Sequence, residues 1–111
     1  MVTKQFEGKV VKVRLTFPNR DPFFPEGISK IEIRGDLPGI TWDAGLELKN
    51  GAINFDLEID KEYQYKYIVY HNGGFSWEVD SGSDSYAEDG YGGHNSVIST
   101  KKPEDTISFY W

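Results

Sequence analysis

Residues 53–70, INFDLEIDKEYQYKYIVY, hold the cleanest period-two pattern in the chain. Ile53, Phe55, Leu57 and Ile59 alternate with Asn54, Asp56 and Glu58, and then Tyr63, Tyr65, Tyr67 and Val69 oppose Gln64, Lys66, Ile68 and Tyr70. Successive side chains of a strand point to opposite faces, so each run builds a strand with one face for a core. Helical periodicity is nearly absent.

The same alternation continues on both sides. Toward the N-terminus, Val11, Val13, Leu15 and Phe17 alternate with Lys12, Arg14 and Thr16, and Ile31 and Ile33 alternate with Glu32 and Arg34. The stretch between them, PNRDPFFPEG, is rich in turn residues. Toward the C-terminus, Phe75, Trp77 and Val79 flank Ser76 and Glu78, and residues 95–99 and 106–111 supply two more strands. Asn50-Gly51, Asn72-Gly73-Gly74 and the glycines of 90–93 mark turns, so residues 63–71 and 75–80 read as a hairpin. Seven or eight short antiparallel strands in one stretch of this length predict an all-β, immunoglobulin-like β-sandwich, with residues 1–111 as a single domain.

Composition narrows the function. With 111 residues the chain can bury one core. Twelve basic residues against eighteen acidic ones give a net charge of −6. That balance disfavours nucleic acid and anionic membranes as partners, since both need a basic surface. The absence of cysteine excludes disulfides, thiol catalysis and thiolate metal sites. No run approaches the roughly 18 apolar residues of a membrane span. MVTKQFEGKV, residues 1–10, lacks a signal-peptide core, which tilts the expected compartment toward the cytoplasm.

Neither catalysis nor a cofactor is expected. The two histidines, His71 and His94, sit in or beside turns, and no pattern sets a nucleophile beside a base and an orienting carboxylate. Asp80-Ser-Gly-Ser-Asp84, with Glu88 and Asp89 beyond it, is rich in oxygen ligands that suit calcium. Its spacing fails the EF-hand test, with Ser85 at the glycine position and Tyr91 at the final glutamate position. A solvated acidic loop with no metal site is the expectation there, and calcium binding is the alternative.

The aromatic residues, 7 Phe, 7 Tyr and 3 Trp, pose a binding question. Trp42 lies in the loop GDLPGITWDAG, where an indole has little reason to be buried. Lys66 points away from the face of its three neighbouring tyrosines. Trp77 lies in the partner strand of that hairpin, and Asn95 follows the glycine-rich loop. Two exposed indoles beside a cation and an amide suit a neutral sugar, because rings stack on the C–H face of a pyranose while the polar groups meet its hydroxyls. The residues alone leave two other arrangements open: indoles filling the core, or Lys66 pairing with a cross-strand glutamate.

GDLPGITWDAGLEL (35–48), YQYKYIVY (63–70) with WEVD (77–80) downstream, and GYGGHNSVI (90–98) together resemble carbohydrate-binding module family 48. This early-set family includes the glycogen-binding domain of the AMP-activated protein kinase beta subunit. The Trp77-Glu78 pair is also similar to the related family 20 starch-binding domains. The resemblance covers roughly residues 10–100. It implies an α-glucan lying across Trp42, Lys66, Trp77 and Asn95, with an amylolytic enzyme or a kinase subunit as partner. Where the family often carries a leucine four residues before the asparagine, this chain has Tyr91, a ring that can stack. PNRDPFFPEG is longer than the family's segment and offers Phe23 and Phe24 as added contacts. Tyr91, the acidic surface and the aromatic tail ISFYW (107–111) support an alternative, a structural or protein-interaction domain that has lost sugar binding.

Overall fold

The computed structural model describes residues 2–17, 28–71 and 74–101, all strand, turn or loop, with no helix among them. None of it is therefore a helix long and apolar enough to cross a membrane. The strands are β1 (Val2–Glu7), β2 (Val10–Thr16), β3 (Ile28–Gly35), β4 (Leu46–Glu47), β5 (Ala52–Glu58), β6 (Glu62–His71), β7 (Gly74–Glu78), β8 (Ser85–Glu88) and β9 (His94–Ser99). They form two antiparallel sheets packed as an immunoglobulin-like β-sandwich. One runs β1-β2-β5 and the other β4-β3-β6-β9-β8, with β7 also paired to β6.

The alternating residues of the sequence become the inner faces. Val11, Val13, Leu15, Phe55 and Leu57 come from the smaller sheet, and Ile31, Ile33, Tyr65, Tyr67 and Ile98 from the larger. Leu37, Ile40 and Leu48 close the core from the β3–β5 connection. Tyr67 packs edge-on against Phe17 at 5.2 Å and against Tyr65 at 5.7 Å between ring centroids. A buried phenol needs a partner for its hydroxyl. Both Tyr65 and Tyr67 donate to Asp80 Oδ2, at 2.8 and 3.3 Å. Burial pushes both phenols well above their ordinary pKa.

Among the described residues there are nine strands, against the seven or eight expected. β1 is new: its half-buried side, Val2, Lys4 and Phe6, carries a lysine that breaks the apolar pattern. β8 lies inside the stretch expected to be an acidic loop and pairs with β9. The second arm of the hairpin is β7, ending at Glu78, after which the chain crosses to the far side of β9. The strand expected over 106–111, the tail ISFYW, and Phe23 and Phe24 all lie outside the described residues.

One feature of the larger sheet positions the site. β6 is ten residues long and pairs with β3 along one edge. Its other edge is shared by β9, opposite Glu62–Tyr65, and by β7, opposite Tyr67–His71. Lys66 sits at the fork where the two partners part.

Candidate functional site

Strand register decides what faces outward on the larger sheet. Tyr65, Tyr67 and Val69 are turned into the core, so Gln64, Lys66, Ile68 and Tyr70 form the opposite face. Directly paired residues share a face. Trp77 is paired with Ile68 and therefore stands on the same side as Lys66. Val97 is paired with Gln64, which brings Asn95, two residues earlier on β9, to that side as well.

Trp42 arrives from the β3–β4 loop. Leu37 and Ile40 take the buried places of this loop. Thr41 then closes a tight turn: its Oγ1 accepts from the N–H groups of Asp43 (3.2 Å) and Ala44 (3.0 Å), and its own N–H donates to the Ala44 carbonyl at 2.8 Å. The indole is left at the tip, 38% exposed, and Trp77 is 43% exposed. Neither fills the core.

Arg34 ties the two tryptophans together. Its Nη1 donates to the Trp42 carbonyl at 3.4 Å, and its guanidinium lies 5.7 Å from the centre of the Trp77 ring, within cation–π reach. Its Nε donates to Glu32 Oε1 at 2.7 Å. Burial raises the Glu32 pKa, but the bonds and charges of Arg34 and Lys30 outweigh it and hold this carboxyl below its ordinary value.

The β8–β9 loop carries Tyr91, which is 95% exposed at the rim. Asp89 shapes this loop. Its Oδ1 accepts from the N–H groups of Tyr91 (2.7 Å) and Gly93 (3.0 Å), while Oδ2 accepts from Lys66 Nζ at 2.8 Å. The Lys66 bond, then the two backbone bonds, pull the Asp89 carboxyl down to a pKa of about 2. A Cβ on Gly93 would come within 2.8 Å of Asp89 Oδ2, so the carboxylate needs a glycine there. The partner of Lys66 is thus a loop aspartate and not a cross-strand glutamate.

Asn95 is only 8% exposed, and its Nδ2 donates to Gln64 Oε1 at 2.9 Å, which fixes the amide plane. Trp42, Lys66, Trp77, Tyr91 and Asn95 line one open cleft of about 570 Å³, together with Asp89. Asp89 and Arg34 are additions to the site, since the sequence places the first in an acidic loop and the second opposite a core face. Asp89 followed by glycine was readable as an Asx turn that bonds the backbone two residues on. Arg34 has no such signal, because its role depends on strand register.

The cleft combines two aromatic faces, a tyrosine at its mouth, and a lysine matched by an aspartate. Such a lining can stack on apolar ring faces and hydrogen-bond hydroxyls without attracting ions. The carboxylates of the 80–89 stretch are dispersed: Asp80 into the core, Asp84 onto Lys4 at 2.7 Å and Asp89 onto Lys66. Among the described residues no three His, Asp or Glu side chains come together as metal ligands. No protein-family model matches the chain, and no curated protein matches it.

Proposed function

We propose that this protein is a non-catalytic α-glucan-binding module. The observation that carries the reading is the pair of partly exposed indoles, Trp42 and Trp77, on the same cleft as Lys66 and Asn95. The rings stack on the C–H faces of glucose units. Lys66, with one of its three donors spent on Asp89, meets hydroxyls with the others, and Asn95 adds a fixed amide. Affinity is modest, a Kd of about 1 µM to 1 mM.

The test is titration of the protein with maltoheptaose, followed by tryptophan fluorescence, with a cello-oligosaccharide as control. A saturable change is expected with the α-linked sugar only. Trp42→Ala and Trp77→Ala should each weaken binding by roughly 10- to 100-fold, the scale of one stacking contact. Unchanged binding in both folded variants would remove the site. A wild-type protein silent toward both sugars would favour the domain that has lost sugar binding, and a protein partner would be sought next.

A further inference from the structure

The outward face does not end at the cleft. Residues two apart on a strand point the same way, about 7 Å from each other. Phe75 therefore extends along β7 the line begun by Trp77. It is 60% exposed, more than either cleft tryptophan. Phe75 is paired with Tyr70, the ring centroids 6.0 Å apart and tilted by 42°. On the other side of Tyr70 stands Lys30 of β3, its Nζ 4.9 Å from the centre of the tyrosine ring.

One row nearer the cleft, Glu32, Ile68 and Trp77 are paired in the same order. Both rows thus run from a charged residue on β3, across β6, to an aromatic on β7. The face carries an aromatic rail beside a polar one, and Lys30 and Glu32 join along the polar rail at 3.4 Å. A single exposed phenylalanine needs no explanation. A ring in line with Trp77, flanked by hydrogen-bonding groups, repeats the chemistry of the cleft at the spacing of one strand repeat.

We infer that Phe75, with Tyr70 and Lys30 beside it, forms a further sugar subsite, which takes the next unit of an α-glucan chain lying over Trp77. The occupant is the same chain because the surface is continuous with the cleft. This inference rests on the α-glucan reading, and it makes chain length the property that the protein distinguishes.

Calorimetric titrations of the full chain with maltotriose and maltoheptaose test it, using the wild type, Phe75→Ala and Phe75→Tyr. The wild type should bind maltoheptaose about tenfold more tightly than maltotriose, the increment of one added stacking contact. Phe75→Ala should lose most of that gain while holding maltotriose within twofold, which also reports that the variant folds. Phe75→Tyr should keep the gain. Equal wild-type affinity for the two sugars, an intact gain in Phe75→Ala, or equal weakening toward both sugars would each overturn the subsite. A wild type that binds neither sugar overturns the α-glucan reading itself, and the subsite with it.

Discussion

Asp89 holds two parts of the site with one side chain. One oxygen gathers the backbone of the β8–β9 loop, and the other fixes Lys66 at the fork of β6. Because its pKa is depressed, this carboxylate favours the folded arrangement at any pH above the ordinary aspartate range. The contribution fades as pH falls from near 4 through about 2. Glucan binding should accordingly be flat from pH 8 to pH 4 and drop only as pH approaches 2, as followed by fluorescence titration across that range. Asp89→Asn removes the ion pair at every pH. It should weaken binding by only a few-fold at neutral pH, since the asparagine keeps an oxygen to accept from the loop N–H groups and Lys66 keeps its place on β6. A loss as large as that of a tryptophan variant would mean that Asp89 touches the sugar itself.

At the scale of elements, β7 combines the site with a small packing defect. Trp77 and Phe75 point outward from it, while Ser76, paired with Val69, points the other way. The Ser76 Oγ is buried with no hydrogen-bond partner among the described residues. An unsatisfied hydroxyl costs about 1–3 kcal/mol, so Ser76→Ala should raise stability by about 1 kcal/mol in urea denaturation and leave glucan affinity unchanged. β2, β3, β5 and β6 were legible in the sequence because apolar residues alternate along each of them, while β9, whose buried Val97 and Ile98 are adjacent, was legible from the glycine-rich turn before it. β1 and β8 were not, one interrupted by Lys4 and the other short and set among acidic residues. The outward direction of Lys66 followed from the tyrosines around it. That Trp77 shares its face did not, because it depends on the pairing with Ile68, and register is invisible in one sequence. Trp42 is exposed for a reason that could be read only in part, since Leu37 and Ile40 had first to be seen in the core.

Across the whole molecule, an acidic protein presents a cleft in which Lys66 is matched by Asp89, with Arg34 paired to Glu32 beside Trp77. A neutral ligand on such a surface releases no counterions. Raising sodium chloride from about 0.05 to 0.5 M should change maltoheptaose affinity by less than twofold, whereas an anionic ligand would show a steep decline. The two sheets are also joined at one end by Lys4 of β1, whose Nζ donates to Asp84 Oδ2 at 2.7 Å and to the Ser99 carbonyl at 2.9 Å. The forked edge of β6 gives the parts of this molecule unequal lifetimes. Among the described strands β7 is laddered to β6 alone, whereas β6 is bonded on both edges. Sub-global opening takes edge strands held by one ladder before strands held by two. β7 can lift from β6 and carry Trp77 and Phe75 with it while the tyrosine-lined interior stays shut. A chain clasped across that strand would then act as a fastener, slowing the excursions of an element tied along one edge only.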